Sequence, residues 1–123
     1  MSDAETMRDW VSGLREFTNR NAGRRTVLEE EAPGEGLRPE QSGYPFWGAS
    51  WDPRDGCVQI MLGEQGSVER HLTRSIRAAQ AIDLMRGADG RDRALRITHP
   101  EGCTLLSFVA GRSRAPAPRD VRP

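Results

Sequence analysis

Four side chains in this sequence are of the types that ligate transition metals or act as nucleophile and base: Cys57, His71, His99 and Cys103. Counting back from a turn at Gly63–Gly66 places His71 almost opposite Cys57, and His99 and Cys103 flank a second turn at Pro100. Two such pairs would provide the thiolate and imidazole ligands of a tetrahedral zinc ion. Structural zinc sites set their ligand pairs on short knuckles such as Cys-x2-Cys, and this chain has none. The expectation is two buried thiols and two strand histidines, with no metal and no cofactor. His99 and Cys103 also have the composition of a nucleophilic pair, but that chemistry needs an electropositive, partly exposed thiol and an oxyanion hole. Nothing in the sequence supplies the hole. Ser50 follows Gly48-Ala49 without the second glycine of a nucleophile elbow. The acids are many, but no spacing singles out a pair for general acid–base work. Gly34-Glu35-Gly36 lacks the further glycine and the lysine of a phosphate loop. No catalytic residue is expected, and the balance is against an enzyme.

The aromatic residues carry the strongest binding signal. Trp47 and Trp51 lie four residues apart, which on a strand of period two puts them on one face. One reading packs both beneath an N-terminal helix beside Trp10. The other leaves them exposed for a partner, since tryptophan is enriched at binding hot spots, with Arg54, Arg70 and Arg74 at the rim. Trp47, Trp51, Arg54 and Arg74 are therefore the candidate binding residues.

These residues need elements to position them. Met7, Trp10, Val11, Leu14 and Phe17 recur at helical period, predicting a helix over 3–21. Ser2 and Glu5 fit a capping box, and Gly23 is a stop. A first strand follows over 24–31. The segment 30–43, with Pro33, Gly34, Gly36, Pro39 and Gly43, reads as a flexible acidic loop. Tyr44–Trp51 and Cys57–Leu62 alternate about the turn Asp52-Pro53-Arg54-Asp55-Gly56, a β-hairpin with Val58, Ile60 and Leu62 toward the core. Val68–Ile76 is a fourth strand. Residues 77–85 are compatible with a short helix, but a bend into a fifth strand over 81–85 is preferred, because Gly87-Ala88-Asp89-Gly90 then closes another hairpin. Arg93–His99 and Cys103–Val109 complete an antiparallel meander. Residues 110–123, rich in arginine and proline, read as a disordered basic tail.

The totals narrow the function classes. A chain of 123 residues makes one domain. Its 18 basic and 18 acidic residues cancel, which gives no general steering toward nucleic acid or an anionic membrane. All 18 basic residues are arginine, scattered as a compositional habit rather than as a binding device. No apolar run is long enough to span a membrane, and the N-terminus lacks the pattern of a signal peptide. A cytoplasmic location with free thiols is expected.

With these segments in place, the chain resembles a family of small bacterial proteins, domain of unknown function 5335, over roughly residues 8–109. The resemblance rests on the Trp10–Leu14–Phe17 helix, on Pro45-Phe46-Trp47-Gly48, and on Val58-Gln59-Ile60-Met61-Leu62-Gly63. Leu72-Thr73-Arg74-Ser75-Ile76, Ala94-Leu95-Arg96-Ile97 and Gly102-Cys103-Thr104-Leu105-Leu106-Ser107-Phe108 complete it. It implies a helix with antiparallel strands and no particular activity.

The expected fold is α+β: one N-terminal amphipathic helix on a curved antiparallel sheet of about six to seven strands, a meander or half-open barrel. The domain covers 1–109. The expected role is a non-catalytic binding or protein-interaction module, with an unknown protein partner or a homodimer joined at an edge strand. The alternative is a small-ligand-binding domain or minor enzyme with a pocket between helix and sheet.

Overall fold

A computed structural model describes residues 3–64 and 71–109. The expected tail 110–123, Ser2, the end of the expected turn at Gly63–Gly66, and the start of the expected fourth strand, residues 68–70 with the rim candidate Arg70, lie outside this range. The elements in order are β1 (Asp3–Thr6), α1 (Trp10–Asn21), β2 (Arg25–Ala32), β3 (Gly36–Asp52), β4 (Cys57–Gly63), β5 (His71–Arg77), β6 (Ala81–Arg86), β7 (Asp92–His99) and β8 (Gly102–Phe108). All eight strands join one sheet in the order β1-β6-β7-β8-β2-β3-β4-β5, every pair antiparallel. This is the expected α+β architecture with one more strand than the upper expectation.

The connection from β5 to β6 shows that the sheet is curved. Six strand spacings separate these two in the sheet order, about 29 Å if flat. Only Ala78–Gln80 link them, and four Cα steps reach about 14 Å at most. The sheet must curl until its β5 end approaches β6, a half-open barrel. Ala78, at φ 57°, makes the corner.

The long strand β3 bends for the same purpose. Its first half pairs with β2 and its second half with β4. Register shifts leave Glu40 unopposed between Gln41 and Pro39, and leave Trp47 unopposed between Phe46 and Gly48. Each is a bulge, which adds a residue to one strand and bends it. Past Pro45, β2 no longer covers the edge of β3, and α1 takes its place. The Thr18 hydroxyl donates to the Ala49 carbonyl at 3.2 Å and accepts from the Ala49 amide at 3.0 Å. Arg24 O accepts from the Phe46 amide, and Phe46 O from the Gly23 amide.

Two expectations are corrected here. Residues 3–6 are not the first turn of the helix but an edge strand on β6. The helix starts at Trp10, where Asp9 Oδ1 accepts from the Ser12 amide at 3.2 Å. That bond holds the Asp9 carboxyl below its usual range. The Ser2–Glu5 capping box therefore does not operate, because Glu5 is strand. The stripe is also narrower than the sequence implied: Leu14 and Phe17 are fully buried, whereas Val11 is 52% exposed. Second, residues 36–43 are strand, not irregular loop. Gly36 and Gly43 take positive φ, and the bulge falls beside Pro39, so the breakers sit where the ladder is already irregular.

The core fills the concave side. Leu84, Leu95, Leu106 and Leu28 form a rung across four strands. Phe46, Val58, Ile60 and Leu62 cover it from the β3–β4 hairpin, and Phe17, Phe46 and Phe108 meet with centroids 5.4–5.8 Å apart. A polar tie closes the α1 end. Asp92, with its side chain 3% exposed, accepts from Arg20 Nε at 2.8 Å, Asn21 Nδ2 at 2.7 Å and Arg86 Nε at 3.3 Å.

Candidate functional site

The four metal-type residues do not converge. His71 pairs with Gly63, not Cys57, and Cys57 pairs with Arg77. The two lie at opposite ends of the β4–β5 ladder, about 20 Å apart at 3.3 Å per residue. β5 pairs from His71 with Gly63, so its register differs from one counted back from a Gly63–Gly66 turn. Cys57 is buried and donates weakly to the Val58 carbonyl. Cys103 Sγ lies 3.4 Å from Glu31 Oε1. Burial raises its thiol pKa, and the Glu31 carboxylate raises it further. This environment keeps sulfur protonated, the reverse of what a nucleophilic cysteine needs.

His99 belongs to a different cluster, at the seam where the curled sheet approaches itself. On β5 the inward residues are Leu72, Arg74 and Ile76. Arg74 reaches across to Glu30 on β2 and, at 2.6 Å, to Glu40, the bulged residue of β3. Thr104 on β8 donates to Glu30 Oε2 at 2.7 Å, and His99 Nε2 lies 3.2 Å from the Thr104 hydroxyl. The Glu101 amide donates to His99 Nδ1 at 3.3 Å, so the neutral ring carries its proton on Nε2 and donates it to Thr104. The chain of donors runs one way: Glu101, His99, Thr104, Glu30. A cleft of about 380 Å³ opens over this cluster.

The arrangement resembles a triad in composition but cannot act as one. Thr104 is fully buried, so its hydroxyl meets no substrate. The Glu30 carboxylate is taken by Arg74 and Thr104. What the cluster does is tie β5 to β2, β3 and β8. Sequence reading missed Glu30 and Thr104. The signal was there: Thr104 stands in alternation with buried Leu106, and Glu30 with buried Leu28, each a polar residue at a core-facing position.

The expected patch of Trp47, Trp51, Arg54 and Arg74 does not assemble. The bulge at Trp47 breaks the period of two, so Phe46 and Trp51 point inward and Trp47 outward. Trp51 meets Trp10 edge to face, with centroids 4.7 Å apart. Trp47 remains 45% exposed and stacks on His71, centroids 4.4 Å apart. Arg54 sits in the hairpin turn, and Arg74 faces the interior. Around Trp47 lies the outer face of β3, β4 and β5. Its exposed or half-exposed side chains near Trp47 are Ser50, Gln59, Met61, Thr73 and Ser75, with His71 beside Trp47; Asp52 and Arg77 end the same face at the far, hairpin end of the strands. Around Trp47 none carries a fixed charge, and the two charged residues of the face, Asp52 and Arg77, lie at its far end, in a chain whose residues are 29% charged.

No helix among the described residues is long and apolar enough to cross a membrane. Comparison of the chain with protein-family models, with curated proteins and with solved structures finds no match.

Proposed function

We propose that this chain is a non-catalytic protein-interaction module of the bacterial cytoplasm, and that it meets its partner with the outer face of β3–β4–β5 around Trp47. One observation carries the reading: an exposed tryptophan surrounded by uncharged side chains on a sheet face whose fixed charges, Asp52 and Arg77, stand at its far end, on an otherwise densely charged chain. Interface cores are depleted of charge and enriched in tryptophan and methionine. The edge of β5 is a poorer contact. Its inward Arg74 and exposed Arg77 are the kind of charges that blunt sheet edges. The contact is therefore face to face rather than strand to strand, whether the partner is another protein or a second copy.

A second reading, a small-ligand-binding domain, draws support from a cleft of about 550 Å³ between α1 and β1. Its walls set Glu5, Asp9 and Glu16 against Arg8, Arg20 and Arg86, with Met7 and Leu84 as apolar floor. That balance selects no ligand charge, and the interaction reading is the stronger.

The test is affinity capture from a native extract with three baits: the parent chain, Trp47→Ala, and Thr73→Arg, which places a charge on the face. A partner retained by the parent, lost by both variants and re-formed from purified components supports the face. Sedimentation of the same three proteins identifies a second copy as that partner. Equal retention by all three overturns the reading.

A further inference from the structure

Four guanidinium groups line a cleft of about 500 Å³ where the end of α1 meets the turn between β6 and β7. Arg20, Arg24, Arg86 and Arg91 share it with a single carboxylate, Asp92. That carboxylate is already taken by Arg20, Asn21 and Arg86, and Arg86 has Glu5 at 2.8 Å as well. Arg24 has a different environment. Its NH1 donates only to neutral acceptors, Asn21 Oδ1 and the Asp92 main-chain carbonyl, both at 2.8 Å. Its guanidinium lies 4.2 Å from the centroid of the Phe108 ring. Arg91 is exposed; its amide donates to Asp89 Oδ1 at 3.0 Å, but its guanidinium has no hydrogen-bond or ion-pair partner among the described residues. Two positive charges thus line one cleft without a contacting carboxylate of their own; the Asp92 and Asp89 carboxylates act on Arg24 only through space. Burial lowers the Arg24 pKa, and the Arg91 charge lowers it further. An anion between the two would relieve both effects.

We infer that this cleft binds the phosphate group of a small phosphorylated ligand, held between Arg24 and Arg91 and reached by the terminal nitrogens of Arg20. Guanidinium forks match phosphate oxygens in pairs. Arg24 is already fixed by two hydrogen bonds and by the Phe108 ring, so little side-chain freedom is lost on binding. The cleft lies within the size range of small-molecule sites and is larger than a lone phosphate fills, which leaves room for the rest of a ligand. That the chain uses only arginine says nothing by itself. The placement does: a sequence of zero net charge sets four arginines around one carboxylate. This site is separate from the Trp47 face and does not depend on it.

Titration calorimetry on the full chain tests the inference with three probes: inorganic phosphate, ribose 5-phosphate and adenosine monophosphate. At least one ester is expected to bind about tenfold more tightly than inorganic phosphate, because it gains contacts beyond the phosphate. Arg91→Gln removes an exposed, unpartnered side chain, so the fold is retained, and it is expected to weaken binding about tenfold, the loss of one charge-assisted contact. Arg54→Gln, in the distant hairpin turn, is expected to change nothing. No heat from any probe up to roughly 10 mM, where even a millimolar site is mostly filled, overturns the inference. So does equal weakening by Arg54→Gln and Arg91→Gln, which would mark diffuse charge attraction. Inorganic phosphate binding as tightly as both esters would overturn the assignment to a phosphorylated small molecule in favour of free phosphate.

Discussion

Trp47 and Trp51, four residues apart on β3, point to opposite faces of the sheet. A single bulged residue, Trp47 itself, separates them by changing the register between Phe46 and Gly48. Trp51 is thereby delivered to Trp10 on α1, and Trp47 to His71 on β5. One indole holds the helix to the sheet and the other is left for solvent or a partner.

Their substitutions should separate accordingly. Trp51→Ala removes a half-buried ring and its edge-to-face contact, and is expected to cost about 2–3 kcal/mol. Trp47→Ala removes an exposed ring stacked on an exposed imidazole, and is expected to cost about 0.5 kcal/mol. Urea denaturation of the two single variants measures both. Similar losses would mean that the bulge does not divide the tryptophans as described. The result also governs how the interaction face is tested, since a Trp47/Trp51 double variant would confound binding with unfolding.

The strands whose side chains alternate cleanly were legible in the sequence: β4, β7, β8 and the hairpin turn, where Val58, Ile60, Leu62, Leu95 and Ile97 fall on the core face as expected. What escaped reading depended on partners distant in sequence. Residues 3–6 became strand because β6 offered an edge, and Met7 fits the helical stripe equally well while its amide bonds to the Ile82 carbonyl. Residues 36–43 became strand because β2 lay beside them and bulges absorbed the glycines and proline. The bulge at Trp47 has no mark in local sequence, so the two tryptophans could not be assigned to faces from spacing alone. Arg74, Glu30 and Thr104 were visible as polar residues in apolar alternation, but that they meet follows from the closure of the sheet.

Asp92 should make stability sensitive to acid. Burial pushes its carboxyl pKa up, but hydrogen bonds from Arg20 and Asn21, with the charges of Arg20 and Arg86, outweigh that and hold it below the ordinary value. A folded-state pKa below the unfolded one adds stability above the unfolded pKa, and that stability is lost as pH falls through the folded value. The loss should therefore begin below about pH 4. Asp92→Asn is expected to cost about 2 kcal/mol at pH 7 and to flatten this acid limb. Thermal unfolding between neutral and acid pH checks it; a variant as acid-sensitive as the parent contradicts the assignment.

The seam cluster predicts a consequence of removing one hydroxyl. Thr104→Val keeps shape and burial but breaks the donor chain between His99 and Glu30, and is expected to cost about 1–2 kcal/mol. Nitrogen-15 spectra of the imidazole should show the Nε2–H tautomer in the neutral parent ring. A neutral ring protonated on Nδ1 would contradict the direction of the chain.

Gly102 gives the most demanding prediction. It opens β8 with φ 132°, a backbone conformation that side-chain-bearing residues rarely adopt. An ideal Cβ built on it would lie 1.8 Å from the Glu31 carbonyl oxygen and 3.1 Å from Ala32 Cα, both backbone atoms of β2 that no rotamer change can move. Alanine there must push β2 away from β8 at the end of their ladder, where Cys103 pairs with Glu31 and Thr104 with Glu30. The same shift would pull Glu30 from the Thr104 hydroxyl and disturb the bond with Arg74 that ties β5 across the seam. Gly102→Ala is thus expected to cost about 3 kcal/mol or more, strain and lost seam contacts together. Gly56→Ala serves as the comparison, because Gly56 has positive φ but open space around its Cβ position. It should cost about 1 kcal/mol, from backbone conformation alone. Chemical denaturation of both variants separates the two causes: equal losses would show that conformation, and not the approach of β2, makes glycine necessary at 102.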